Sequence, residues 1–89
     1  MLFMVIERFK DGRAREIYER FRAQGRLAPE GLEYIDSWVS SDVSRCYQLM
    51  RTDDRRLLEQ WAAHWQDLVD FEFVPVITGR EAAVKVLGD

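Results

Sequence analysis

The run Leu2 to Phe9, LFMVIERF, contains no Gly or Pro and stops at Lys10-Asp11-Gly12, a turn signal, so it reads as a β-strand. Side chains alternate across a strand, which puts Leu2, Met4 and Ile6 on one face and Phe3, Val5 and Phe9 on the other. Both faces are apolar. Such a strand belongs in the middle of a sheet with something packed on each side, and the rest of the chain must supply those covers.

The first cover is a helix from about Arg13 to Gln24, capped by Asp11 and stopped by Gly25, with Ala14, Ile17, Tyr18 and Phe21 on one stripe. After a loop containing Pro29 and Gly31, Leu32 to Val39 and Ser44 to Arg51 read as an antiparallel hairpin turned at Ser40-Ser41-Asp42. Thr52 caps a second helix that runs to about Leu68, with Asp53 and Asp54 in its first turn. Its stripe is Leu57, Trp61, Trp65 and Leu68, broadened by Leu58 and Ala62. Phe71 to Ile77 is a further strand, and Pro75, which has no N–H to donate, places it at a sheet edge. Thr78 to Glu81 has capping-box spacing for a short C-terminal helix with Ala82, Ala83, Val86 and Leu87.

The resulting order, βαββαβ with a helical tail, predicts an α+β, ferredoxin-like fold: a four-stranded antiparallel sheet with both helices on one face. Two helices cover one face only. The other, here taken to be the face of Phe3, Val5 and Phe9, is left for a second copy, and a homodimer through the sheet face is expected.

The chain has 89 residues, enough for one hydrophobic core, so residues 1–89 are read as a single domain. Its 47% hydrophobic and 33% charged residues describe an ordinary globular protein. A net charge of -3 and a pI near 5.1 argue against nucleic acid or an anionic membrane as partner. Cys46 is the only cysteine, which excludes an intrachain disulfide and a thiolate metal cage and suits a reducing compartment, so a cytoplasmic location is expected. The Leu2–Ile6 run is too short, and too soon followed by Glu7-Arg8, for an export signal, and no stretch approaches the roughly 18 to 20 apolar residues of a membrane span.

The segments Met1–Phe9, YIDSW at 34–38, RCYQLMRTDD at 45–54 and DLVDFEFVPV at 67–76 together resemble a small bacterial family catalogued as a domain of unknown function, across nearly the whole chain. That resemblance implies the dimeric α/β barrel. The wider superfamily of such barrels includes cofactor-free monooxygenases, lactone isomerases, haem-degrading oxygenases and binding proteins, so fold alone names no activity. Haem-degrading members look to a helix His with Asn and Trp nearby, and some cofactor-free oxygenases rely on Asn. This sequence has His64 and three Trp but no Asn.

Several residues are candidates for chemistry. His64, three residues after Trp61, borders the apolar stripe and reads as either a general acid or base facing a cavity or a structural group at a helix edge. His64 and Asp67 share a helix face, but two ligands fall short of a metal site, and no metal or cofactor is expected. Glu7 and Asp36 are carboxylates inside apolar strands, each requiring a partner, a shifted pKa or a place at the strand end, and Glu7 beside Tyr34 or Tyr47 would make a base. With a tight Ser41-Asp42 turn, Asp36 faces Tyr47 and Trp38 faces Arg45, giving an aromatic-walled pocket or a packed interface. Cys46 reads as a small packed residue. The five arginines between Arg13 and Arg26 are interleaved with Glu16 and Glu19 and read as a self-neutralising solvated face. Glycine-rich phosphate loops and serine nucleophile elbows are absent.

These features point to binding of a small apolar or aromatic molecule between helices and sheet, with Trp38, Asp36, Tyr47, Trp61 and Trp65 as ligand-binding residues. One alternative is a cofactor-free monooxygenase- or isomerase-like enzyme that moves a proton with His64 or Glu7. Another is a structural or regulatory dimer module with no pocket.

Overall fold

A computed structural model describes residues 1–88. In chain order it contains β1 (Leu2–Phe9), α1 (Ala14–Gln24), β2 (Glu33–Val39), β3 (Arg45–Arg51), α2 (Arg56–Ala62), β4 (Val69–Val76) and α3 (Gly79–Leu87). The strands form one antiparallel sheet in the order β2-β3-β1-β4, which is the ferredoxin-like α+β arrangement. The run that is apolar on both faces is indeed internal, between β3 and β4, and the Pro75 strand lies at an edge.

The faces of β1 are the reverse of the sequence expectation. Phe3 and Val5 are buried at 2% and 0% exposure in the core beneath the helices, with Phe9 packed beside them, whereas Leu2, Met4 and Ile6 lie on the face that no helix covers. The two alternations are equally apolar, so patterning cannot choose between them. The partners choose. Glu7 and Val5 share their face with Cys46, Gln48 and Met50 of β3, and that layer meets Leu58, Trp61, Trp65 and Leu68. Burial of these large side chains, worth about 1.5–3 kcal/mol each, is the main force holding helices to sheet.

The second helix is shorter than its periodicity suggests. Regular α-helix ends at Ala62, and a chain of turns continues to Leu68, with the Ala62 carbonyl accepting from both Trp65 and Gln66, and Leu68 and Val69 both donating to the Trp65 carbonyl. No Gly or Pro marks the change. Tertiary contacts produce it: Arg20 Nη1 donates to the His64 carbonyl at 2.7 Å and pairs with the Asp67 carboxylate at 2.7 Å. The turns still keep Trp65 and Leu68 buried, so the apolar stripe outlasts the regular helix.

Helix caps also differ from expectation. Neither Asp11 nor Thr52 caps as anticipated: the residue before α1 is Arg13, without a side-chain cap bond, and Thr52 Oγ1 accepts from the Asp54 N–H while Asp54 Oδ1 accepts from the Arg56 N–H. The Thr78–Glu81 capping box forms in full. Of the five arginines read as a self-neutralising face, Arg13 pairs with Glu16 and Arg15 with Glu19, but Arg20 pairs with Asp67 and Arg26 lies over the Tyr34 ring.

The β2–β3 loop spans Ser41 to Ser44, two residues longer than the tight turn anticipated, because Ser40 pairs with Arg45 and Val43 takes a left-handed φ of 57°. Asp42 holds the loop by accepting from the Ser44 N–H and from the Ser40 and Ser44 hydroxyls, and these bonds lower its pKa. Trp38 consequently lies opposite Tyr47 rather than Arg45, and Asp36 opposite Leu49 rather than Tyr47, with a register irregularity between Tyr34 and Asp36. Among the described residues no helix is long and apolar enough to cross a membrane.

Candidate functional site

Between the helices and the covered face of the sheet lies a cavity of about 230 Å³. Its floor is the polar end of the covered face: Glu7 from β1, Cys46 and Gln48 from β3, and Ser37 and Val39 from β2. Its walls are aromatic. Ile17, Tyr18 and Phe21 come from α1, Phe9 from the end of β1, Trp61 from α2 and Trp65 from the turns that follow it. Arg26, from the loop after α1, lines the same space.

Arg26 organises this site through both its backbone and its side chain. Gly25 at φ 75° and Leu27 at φ 65° flank it, so the chain makes two left-handed excursions around this residue. Such a conformation is costly for a leucine and persists only where the surroundings hold it. What holds it is a shared acceptor: the indole N–H groups of Trp61 and Trp65 both donate to the Arg26 carbonyl, each at 3.0 Å. A buried indole needs such a partner, and a carbonyl has two lone pairs to offer. The Arg26 guanidinium lies over the Tyr34 ring, 3.6 Å from its centroid, and 5.1 Å from that of Phe21. Its Nη1 donates to Gln48 Oε1 at 3.3 Å, and Gln48 Nε2 donates in turn to Glu7 Oε2.

Glu7 is 6% exposed. Burial raises its pKa above the ordinary carboxylate value, against the opposing pull of hydrogen bonds from Gln48 and Cys46 and of the Arg26 charge. Burial, reinforced by Glu7, pushes the Cys46 thiol up to about 12, so this sulfur stays protonated and is no nucleophile at neutral pH. Burial also raises the Tyr18 phenol, with Cys46 and Glu7 adding to the effect. The cavity thus combines an apolar wall with a carboxyl group that exchanges a proton at higher pH than a free acid does. It can hold a ring, donate or accept a hydrogen bond at Glu7, and place a positive charge at Arg26.

Of the residues singled out from sequence, Glu7, Trp61 and Trp65 come together here. His64 does not: it is exposed, it is absent from the cavity wall, and its backbone carbonyl rather than its ring accepts from Arg20. Trp38, Tyr47 and Asp36 belong to the uncovered face of the sheet, with Trp38 54% exposed. Asp36 Oδ1 accepts from the Ser37 N–H. Neither Tyr34 nor Tyr47 lines the cavity beside Glu7; the tyrosine there is Tyr18. Among the described residues no three His, Cys, Asp or Glu side chains gather in a manner that would hold a metal ion.

Gln48 was not anticipated at the site, Tyr18 and Phe21 were read only as the apolar stripe of α1, and Arg26 only as part of a solvated face. Gln48 had a readable signal, since it alternates with Cys46 and Met50 and is therefore a polar residue on a buried strand face. Arg26 had none, because its position depends on a loop conformation that no local pattern dictates.

The fold and cavity define a ferredoxin-like α+β domain with a pocket between its helices and sheet. The chain belongs to the family DUF3303, described as a domain of unknown function, whose profile matches residues 1–88. Comparisons with curated proteins and with solved structures give no match.

Proposed function

We propose that the protein binds a small apolar or aromatic molecule in the cavity between helices and sheet, and that it does so as a homodimer of the α/β-barrel type. The observation that carries the binding reading is the cavity itself: about 230 Å³, walled by Trp61, Trp65, Phe9 and Phe21, with the buried Glu7 carboxyl on its floor. An apolar cavity of about 150 Å³ suffices to bind benzene, so a substituted ring has room. Ligand sites are typically apolar with a few convergent polar groups and a perturbed titratable residue.

The dimer rests on the uncovered face, where Met4 lies between Leu49 and Val74, and Ile6 next to Tyr47, which in turn pairs with Trp38. A contiguous apolar surface of this kind is a liability for a monomer and is resolved by self-complementary packing. Placing Trp38 and Tyr47 in that contact gives them an interface role in place of the ligand role read from sequence. Bacterial origin and a cytoplasmic setting accompany this reading, the latter from the single, buried Cys46.

A second reading, a cofactor-free enzyme of the oxygenase or isomerase kind, is favoured by one feature: the raised pKa of Glu7 beside a cavity, which suits a general base.

Chemical-shift mapping of the three indole N–H groups with 1-naphthylmethanol tests the pocket. The resonances of Trp61 and Trp65 are expected to move while that of Trp38 stays fixed; movement of Trp38 alone would put the ligand on the open sheet face and refute the assignment. Light scattering tests the dimer: the wild type is expected at twice the chain mass and Met4→Lys at one, and a monomeric wild type at micromolar concentration ends that part of the reading.

A further inference from the structure

We propose that the natural ligand is a cyclic or aromatic monocarboxylic acid, whose ring lies against the Trp61 and Trp65 wall of the cavity and whose carboxylate pairs with Arg26. This deepens the binding reading above and rests on it.

Arg26 lines the cavity yet takes part in none of the ion pairs formed among the described residues. A guanidinium carries five N–H donors in a planar fork. Among the described residues its only side-chain acceptor is Gln48 Oε1, at a long 3.3 Å. The Tyr34 and Phe21 rings beside its guanidinium offset part of the cost of withdrawing the charge from water. A pre-positioned, partly desolvated guanidinium at an apolar cavity matches a planar carboxylate, to which it can donate two parallel hydrogen bonds. An uncharged ring compound would leave the fork without a carboxylate in direct contact.

Glu7 makes the binding proton-linked. The groups around it are Gln48 and Cys46 from β3, Tyr18 from α1, Arg26 from the α1–β2 loop, the uncharged Trp61 and Trp65, and Phe71 on the neighbouring strand. Arg26 is the one cation among them. A ligand carboxylate competes for it, and two carboxylates sharing one site cannot both ionise easily. Glu7 therefore takes up a proton as the acid binds, and the protonated group becomes a donor toward the ligand. The equilibrium balances as one ligand anion and one proton entering the site together for each Glu7 that starts ionised.

Calorimetry with 1-naphthoate and the neutral 1-naphthylmethanol at pH 6 and pH 8, in two buffers of different ionisation enthalpy, tests this. The acid is expected to bind about tenfold tighter than the alcohol at pH 6, as befits a charge-assisted pair, with net proton uptake and a smaller advantage at pH 8. In Arg26→Met, which keeps the backbone carbonyl that anchors both indoles, the ratio of the two affinities is expected to fall to about one. In Glu7→Gln the proton uptake disappears. Equal affinities in the wild type, or a preference for the acid that survives Arg26→Met, overturns the proposal while leaving the pocket standing. Binding of neither probe removes the pocket reading itself. If Arg26→Met does not fold, the wild-type ratio and its proton uptake decide alone.

Discussion

Replacing Trp61 and Trp65 by Phe, singly and together, separates the shared acceptor at Arg26 from ordinary core packing. Both indoles are buried, at 1% and 5% exposure, and both donate to one carbonyl at 3.0 Å. Each single replacement removes one hydrogen bond, worth about 0.5–1.5 kcal/mol net, and leaves a void costing about 1 kcal/mol per missing methyl-sized volume. About 2 kcal/mol is expected for either alone. In each single variant the carbonyl still accepts from the remaining indole. Only the double variant orphans it, and that adds about 1 kcal/mol, the low end for an unsatisfied group because the loop is part-buried. The double variant should therefore lose about 5 kcal/mol, exceeding the sum of the singles by about 1. For a domain of this size each kcal/mol corresponds to about 4–8 °C in Tm. Urea unfolding of the four proteins of the cycle measures the difference. Additivity within about 0.5 kcal/mol would refute the claim that one carbonyl ties the α1–β2 loop to both tryptophans.

Three further outcomes are expected. Because burial raises the pKa of Glu7 in the folded chain, its folded state binds more protons than the unfolded one; wild-type stability should fall as pH rises through the folded value, and Glu7→Gln should lack that slope. Parallel stability curves from pH 5 to 8.5 would contradict this. Hydrogen bonding from Arg20 lowers Asp67 to about 2, so its contribution is present above the ordinary value of 3.8 and is lost as pH falls toward 2; carboxyl carbon NMR of Arg20→Gln should show Asp67 titrating again near 3.8. Cys46, held near 12 and buried, should resist a thiol reagent at pH 8 until urea unfolds the chain; rapid labelling of the native protein would show that the strand face is open.

Much of the architecture is written in local pattern. The apolar β1, the Pro75 edge strand, the Gly25 stop and the Thr78–Glu81 box each follow from the stereochemistry of a few neighbouring residues, and each appears in the structure. Together they define the order βαββαβα and the ferredoxin-like sheet. So does the suspicion of Glu7, a carboxyl within an apolar strand. What pattern could not decide was any choice between equivalent alternatives. Phe3 and Val5 are no more apolar as a set than Leu2, Met4 and Ile6, and only the helices' own side chains, packed over Met50 and Val5, select the covered face. His64 follows Trp61 at helical spacing, but Trp61, Ala62, Trp65 and Leu68 take the buried side and His64 is left in solvent. Four loop residues rather than two set Trp38 against Tyr47. Arg26 acquires meaning only when two indoles distant in sequence converge on its carbonyl. Short-range stereochemistry determined the elements, and long-range packing decided which of their side chains meet in the cavity.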